Sequence, residues 1–306
     1  MKVYYGTLEA SGKIKNAVVT TGSFDGVHIG HKLIIDRLNE MAREIDGESV
    51  LITFNPHPRK VLYPEQTDLM LINSQEEKIE LLRKAGLDNL IIIPFSLEFS
   101  KTTPGEFVAE MLVGHLGAKI IVVGHNHHFG HARQGDYSYL HQLSRELDFH
   151  VEEIPLQVIE NETVSSTKIR KAIKEGSIQR ANAYLDHQYI IIGDLYQFSE
   201  LPHMSGLTTI GIKVSAREKL IPPPGIYAGN LFCDGQWLKS MTFVLDDVEG
   251  NHQVVNYLIY DALDPHGKRG CVYFYKQVWS GNPANGDEMT PEIIDEAKEM
   301  VEDLIY

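Results

Sequence analysis

Short, almost wholly apolar runs alternate with longer amphipathic stretches through the first half of the chain. Ala17–Gly22 (AVVTTG), Val50–Phe54 (VLITF), Leu90–Pro94 (LIIIP), Ile120–Gly124 (IIVVG) and Val151–Pro155 predict strands. Their lack of polar alternation suits strands covered on both faces. Between them the spacing of apolar positions predicts helices over Ile29–Ile45, Ser74–Ala85, Pro104–Leu116 and Tyr137–Leu147. Ser74 followed by Glu77 has the form of a capping box. Strand–helix alternation of this kind implies an α/β, Rossmann-like parallel sheet with right-handed crossovers.

Two short helices follow, over Thr167–Glu175 and Ile178–Leu185, with Gly176 ending the first. Beyond about Tyr189 the pattern changes. Six strand-like runs separated by turn residues, Tyr189–Tyr196, Thr208–Ser215, Gly225–Cys233, Trp237–Leu245, Val254–Asp261 and Gly270–Trp279, predict an antiparallel β-barrel. Pro291–Ile305 reads as one amphipathic helix, capped by Thr290 with Pro291 in its first turn. The expected organisation is therefore a domain over residues 1–186 and a barrel domain with a C-terminal helix over 187–306. A length of 306 residues suits two domains. There is no internal repeat and no low-complexity segment.

Composition narrows the function. Hydrophobic residues make up 43% and charged residues 23%, as in ordinary globular proteins. A formal net charge of −14 disfavours nucleic acid and anionic membranes as partners, while leaving room for a local nucleotide pocket. The two cysteines, Cys233 and Cys271, allow one bridge at most and suit a reducing, cytoplasmic location. The N-terminal segment has no apolar core of a secretory signal, and no apolar run approaches the length of a membrane span. Oligomeric state is not readable from the sequence.

Gly22–His31, GSFDGVHIGH, follows the first predicted strand and runs into a helix. Glycines at 22, 26 and 30 permit tight turning and close approach of a ligand. A new helix presents free N–H groups and partial positive charge, which suits phosphate. His28 and His31, three apart, can share a face at the helix start. The pattern is neither a P-loop nor GxGxxG. Asp25 either contacts nucleotide or pins the glycine turn.

FDGVHIGH resembles the HxGH motif of the adenylyl- and cytidylyltransferases. The longer GSFDGVHIGH is similar to the FAD synthetase module of prokaryotic bifunctional riboflavin kinase/FAD synthetases. Three further segments resemble that family in order: Thr53–Val61 (TFNPHPRKV) its FxPHP element, Val122–Asp136 (VVGHNHHFGHARQGD) its VGxxFxFGxxRxG element, and Val164–Arg170 (VSSTKIR) its SSTxIR element.

The resemblance implies an FMN adenylyltransferase: a phosphate oxygen of FMN attacks the α-phosphorus of ATP, FAD forms and pyrophosphate leaves. Alignment and neutralisation of developing charge dominate such a transfer. It further implies that His28, His31 and Arg170 are catalytic, and that Gly22, Phe24, Asp25, Gly30, Ser166 and Thr167 bind ATP. Asn55, His57, Pro58, Arg59, Asn126 and Arg133 would line the flavin and phosphate sites. Mg²⁺ would accompany the triphosphate. Ser165–Thr167 also reads as a helix cap, and Asn55–Pro58 also reads as a rigid loop. His125, His127, His128 and His131 have some metal-ligand character, but the resemblance assigns that loop to flavin or nucleotide through Asn126.

The barrel departs from its family pattern. In place of a GxPTAN element stands Gly206–Gly211 (GLTTIG): Thr209 matches the threonine, and Gly211 stands where asparagine is expected. Asn251–Tyr260 holds no acidic residue to serve as base for a riboflavin hydroxyl. The expectation is a kinase-like module with weak or lost riboflavin kinase activity. Tyr227, Trp237, Tyr257 and Tyr273 read as packing residues rather than flavin-stacking ones. The alternatives are a fully bifunctional enzyme, a nucleotidyltransferase acting on pantetheine phosphate or nicotinamide mononucleotide, and an inert flavin-binding module.

Overall fold

The computed structural model describes all residues except 67–68, 125–128, 132–133, 155–157, 160–161, 199–208, 247–251, 261, 283–286, 288 and 306, and except the side chains of 158, 159, 162 and 163. Contacts divide the chain into two compact units. Met1–Leu69 and Lys78–Val164 form one, and Met70–Glu77 and Ser165–Tyr306 the other.

The first unit is built on a six-stranded parallel sheet of order β1-β4-β3-β2-β5-β6. Its strands are β1 (Lys2–Tyr5), β2 (Val18–Thr21), β3 (Ser49–Asn55), β4 (Asn89–Pro94), β5 (Ile120–Gly124) and β6 (His150–Ile154). Helices α1 (Thr7–Ala10), α2 (Ile29–Glu44), α3 (Pro58–Leu62), α5 (Pro104–Glu106) and α6 (Tyr137–Leu147) belong to it, as does the greater part of α4 (Gln75–Lys84). A two-stranded ladder, β7 (Val158–Ile159) with β8 (Glu162–Thr163), closes the unit.

Both faces of this sheet are covered, which is why its strands read as unbroken apolar runs. Val18 of β2 packs with Ile120 and Val122 against Leu38, Met41 and Ala42 of α2. Its neighbour Val19 points the other way, with Val50, Ile52, Ile91 and Ile121, against Phe107, Val108, Leu112 and Leu140. The predicted helix Pro104–Leu116 is not one regular α-helix. Thr103 and Glu106 form a capping box around α5, and Phe107–His115 then continues as a π-helix. The edge strand β1 and helix α1 lie where the sequence predicted neither, because four-residue segments are too short to show a period.

The second unit is a closed antiparallel barrel of order β10-β13-β12-β11-β14-β9. Its strands are β9 (Tyr189–Phe198), β10 (Thr209–Lys213), β11 (Gly225–Cys233), β12 (Gln236–Asp246), β13 (His252–Leu258) and β14 (Arg269–Ser280). Helix α9 (Pro291–Leu304), capped by Thr290, lays Ile294, Ala297 and Val301 against Ile226, Met241 and Phe243. Helices α7 (Ser166–Lys174) and α8 (Ile178–Leu185) belong with the barrel. Asn182 of α8 donates to the Phe274 carbonyl at 2.8 Å and accepts from Tyr189 N at 2.7 Å. The cysteines are both buried free thiols. Tyr227, Tyr257 and Tyr273 are buried. Trp237 is more than half exposed, and it packs cross-strand on Phe232 at 4.9 Å and on Tyr273 at 4.7 Å.

Residues 70–77 join the second unit through a buried ion pair. Lys219 Nζ lies 2.7 Å from Glu77 Oε2, with both side chains fully buried. The ammonium also donates to the carbonyls of Ile72 (2.6 Å) and Ile190 (2.8 Å), which matches its three protons to three acceptors, and it faces the Tyr189 ring at 4.1 Å. Glu77 accepts from Ser74 N at 2.8 Å, the expected capping box, and from Ile192 N at 3.0 Å. Main-chain bonds from Leu71 N to Glu218 O and from Leu220 N to Leu71 O, each 2.7 Å, complete the seam. Lys219→Met leaves the Glu77 carboxylate buried without its cation. It is expected to lower stability by about 3–5 kcal/mol in chemical denaturation, and Glu77→Leu added to it is expected to recover most of the loss.

Candidate functional site

Strand β2 is the switch point of the parallel sheet. From it the chain moves outward through β3 and β4, and it returns to β2's other side with β5. Ligands of open α/β sheets bind at the carboxyl ends of strands at such a point. The segment Gly22–His31 leaves β2 there. Thr20 Oγ1 donates to Val122 O at 2.7 Å, and Gly22 N bonds Ile52 O at 3.0 Å, so the start of the turn is fixed to both neighbouring strands.

The turn takes an unusual backbone course. Phe24 (φ 47°), Gly26 (φ 95°) and Val27 (φ 42°) all lie in the left-handed region. Glycine adopts that conformation without penalty, whereas a β-branched residue there is a true outlier. The strain delivers His28 to the N-cap of α2 with ψ 172°. His28, His31 and Phe24 then form a stack, with ring centroids 3.6 Å apart for His28–His31 and 4.4 Å for His31–Phe24. Gly30 makes room for it: a Cβ there would lie 3.3 Å from His28 Cε1.

The N-cap residue of α2 does not close the helix start with its own side chain. Thr103, Asp136, Ser165 and Thr290 each accept a backbone N–H at the start of α5, α6, α7 and α9, but the His28 side chain makes no capping bond. Among the described residues the buried Nδ1 of His31 has no hydrogen-bond partner. An open helix N-terminus beside an orphaned imidazole nitrogen is a place for an anion with acceptor oxygens.

Charge around the stack is finely held. Burial, then the neighbouring His28, then Lys78 push the His31 imidazole well below the ordinary histidine range, so it is neutral near pH 7. Asp25, within the turn, and Lys78, on α4, are both buried. Burial pulls the Lys78 ammonium down from its ordinary value, and the Asp25 carboxylate offsets part of that. Lys78 Nζ donates to Ser23 O at 2.8 Å, and Thr53 Oγ1 of β3 donates to the same carbonyl at 3.2 Å. The sequence reading missed Lys78. Its signal was a lysine in helical register with Leu81, Leu82 and Ala85.

Asn55–Arg59 starts from the end of β3, beside β2, and includes the cis Asn55–Pro56 peptide. His57 caps α3, accepting from Arg59 N at 3.2 Å, and Pro58 takes the first helical position. Asn55 and Arg59 are exposed, and Arg59 reaches Gln66 at 3.4 Å. The segment after β5 also begins at the switch point. Asn126 and Arg133 lie outside the described residues, as do His125, His127 and His128. Of the expected histidine group only His131 is described: its main chain bonds Thr102 O at 3.0 Å and its ring Ser100 O at 3.2 Å. Among the described residues no group of three or more His, Cys, Asp or Glu side chains is placed to hold a metal ion.

Ser166, Thr167 and Arg170 belong to the second unit. Ser165 is the N-cap of α7, accepting from Lys168 N at 3.4 Å, so the cap falls on the first of the three hydroxyl residues. Ser166 and Thr167 open the helix, Thr167 is exposed, and Arg170 follows one turn on. Thr209 is buried at the start of β10, where its hydroxyl donates to the Phe198 carbonyl. Gly211 lies under the Tyr196 ring, and a Cβ at Gly211 would fall 2.1 Å from Tyr196 Cζ.

A parallel sheet with a glycine-rich turn and a histidine pair at its switch point defines a nucleotidyltransferase type of site. The chain matches the FAD synthetase family over residues 11–168. It is 30% identical over 231 residues to a bifunctional riboflavin kinase/FMN adenylyltransferase of Listeria monocytogenes, covering 75% of this chain and 72% of that one. Against the protein of the same description from Escherichia coli K12, identity is 28% over 270 residues, or 86% and 85% of the two chains. A solved Streptococcus pneumoniae structure titled as a macrolide-efflux protein superposes with a TM-score of 0.83 over 99% of this chain and 97% of that one. At 24% identity it speaks for the fold alone. The chain belongs to the FAD synthetase family, and it is an enzyme of the nucleotidyltransferase class. No described helix is long and apolar enough to cross a membrane.

A lowered pKa makes His31 bind its proton later in the folded than in the unfolded chain as pH falls. Its contribution to stability is complete above the unfolded value, about 6.5, and is lost as pH falls below it. In an NMR titration the His31 ring is expected to remain neutral as pH falls past the ordinary histidine value of about 6.5. A midpoint at or above the ordinary histidine value removes this account of the stack.

Proposed function

We propose that the protein transfers AMP from ATP to FMN, giving FAD and pyrophosphate. A phosphate oxygen of FMN forms the new bond to the α-phosphorus as the bond to the pyrophosphate oxygen breaks. No nucleophilic side chain is required, only alignment and donors aimed at developing charge. The observation that carries the reading is the His28–His31 stack at the uncapped start of α2, at the sheet's switch point.

On this reading Gly22, Phe24, Asp25 and Gly30 shape the ATP-binding turn, and His28 and His31 hydrogen-bond the reacting phosphates. Ser166, Thr167 and Arg170 are the phosphate donors that the family pattern adds. Asn55, His57, Pro58, Arg59, Asn126 and Arg133 take the flavin and its phosphate. Mg²⁺ enters on the triphosphate oxygens as part of the substrate. By the family pattern residues 1–186 make up the transfer domain and 187–306 a kinase-like one, whereas contacts group 70–77 and 165–186 with the barrel.

Riboflavin kinase activity is weak or lost on the same reading. Gly211 stands at the expected asparagine, and the Tyr196 ring fills the space its amide would need. Thr209, the matching threonine, has its hydroxyl turned to Phe198 O. Asn251–Tyr260 contains no acidic side chain to accept the proton of a riboflavin hydroxyl.

Chromatography of products from ATP, Mg²⁺ and either FMN or riboflavin separates the readings. FMN is expected to yield FAD, while riboflavin yields FMN far more slowly. Comparable rates from the two acceptors establish the fully bifunctional enzyme instead, and binding of FMN and ATP without pyrophosphate release establishes an inert module. His28→Ala and His31→Ala are each expected to reduce FAD formation by about 10²-fold, the scale of one lost transition-state donor. Wild-type turnover in both variants rules out the roles given to them.

A further inference from the structure

Two buried side chains from different elements converge on one carbonyl at the start of the strained turn. Lys78 Nζ of α4 lies 2.8 Å from Ser23 O, and Thr53 Oγ1 of β3 lies 3.2 Å from it. Neither side chain reaches solvent to any extent, Lys78 being 6% exposed and Thr53 fully buried. The next residue, Phe24, begins the left-handed course and stacks on His31. A buried lysine is uncommon and needs a compensating arrangement. Here the arrangement is a single main-chain acceptor of the turn, with the buried Asp25 carboxylate acting on the same ammonium.

We propose that Lys78 is a positioning residue of the transfer site: with Thr53 it clamps the Ser23 carbonyl, and so holds Phe24, His31 and His28 in the stack that meets the nucleotide. The inference rests on the transfer reading above for its kinetic consequence but not for its structural one. A strained conformer persists only where its surroundings over-determine it, and the clamp joins the Gly22 N–Ile52 O bond in holding the turn from outside. Misplacement of a reacting group by as little as about 1 Å can cost on the order of 10²-fold in rate, so loss of the clamp should appear in turnover rather than in binding.

The ammonium has a second effect on the stack. The ionisable groups that act on His31 are His28, from its own turn, and Lys78, from α4, and both keep the ring neutral beyond what burial does. Removing the Lys78 charge therefore raises the His31 midpoint, and the acid limb of activity shifts to higher pH.

The test compares Lys78→Met, Lys78→Arg and Thr53→Val with Lys84→Met, an exposed position at the end of the same helix, in FAD formation and in NMR titration of the histidine rings. Lys78→Met is expected to reduce kcat about tenfold or more, with KM for FMN changed by no more than about threefold. It should also raise the His31 midpoint. Arg at 78 recovers part of the rate, Thr53→Val acts in the same direction but more weakly, and Lys84→Met matches wild type. Wild-type kcat in folded Lys78→Met, a loss confined to KM, or an unmoved His31 midpoint overturns the proposal. If Lys78→Met does not fold, Thr53→Val and Lys78→Arg decide: wild-type kcat in both overturns it. If wild-type protein makes no FAD, the transfer reading fails, and the clamp is still judged by whether the His31 midpoint moves in the variants.

Discussion

The passage from β2 into α2 turns on three positive φ angles, at Phe24, Gly26 and Val27. Residues held in that region cost on the order of 1–3 kcal/mol each when they are not glycine. Val27 is β-branched and fully buried, so its penalty is not relieved by fraying into solvent. The surrounding structure answers with fixed points on every side: Gly22 N on β3, Thr20 on β5, and Thr53 and Lys78 on the Ser23 carbonyl. A relaxed turn would lead the helix in at another angle and separate the imidazoles. The histidine stack is thus a consequence of backbone geometry before it is a matter of side-chain chemistry.

Within the barrel a different constraint operates. A carboxylate and an ammonium removed from water need every proton and lone pair matched, since a half-satisfied buried pair is worse than none. Lys219 has three acceptors, and Glu77 takes Ser74 N and Ile192 N in addition. Three separate stretches of chain, around 72–77, 190–192 and 219–220, are brought into one register by that matching. Apolar packing alone would hold them less specifically, because it has no preferred direction.

Much of this was legible in the sequence because the sheet is buried on both faces. Runs such as IIVVG admit few readings, and β5 falls on the predicted residues. The barrel strands were readable for a related reason: turn residues mark their ends, and β11 spans the predicted Gly225–Cys233. The histidine turn could be located from its glycines, but not the stacking of its rings, which depends on Phe24 and Val27 adopting angles that their side chains disfavour. Lys78 was hidden because a lysine on a helix reads as a solvated residue, and only tertiary packing turns it inward. The attachment of residues 70–77 to the second unit was hidden likewise: it is carried by Glu77, whose visible role was a capping box and whose second partner lies 142 positions on, at Lys219. The Tyr196 ring over Gly211 is a cross-strand relation, fixed by the pairing of β9 with β10 rather than by any local pattern.

On the proposed reading, the electrostatics of the turn bear on how a chain with net charge −14 receives a polyphosphate. A field of that sign disfavours the approach of phosphate-rich ligands in general. A site of many exposed cations would overcome this, but it would attract any anion. The turn follows another course: the His31 imidazole kept neutral chiefly by burial, a helix start that the N-cap side chain leaves open, and one buried ammonium partly compensated by Asp25. Such groups present directed dipoles rather than bulk charge. On the proposed reading they bind weakly an anion that lacks the right geometry and strengthen as charge gathers on the transferring phosphoryl, which is the differential that speeds a reaction. Protonating His31 would replace that differential with plain attraction and set its charge 3.6 Å from the His28 ring. Burial, His28 and Lys78 all act against that protonation, so neutrality of the His31 ring is a property of how the turn is built.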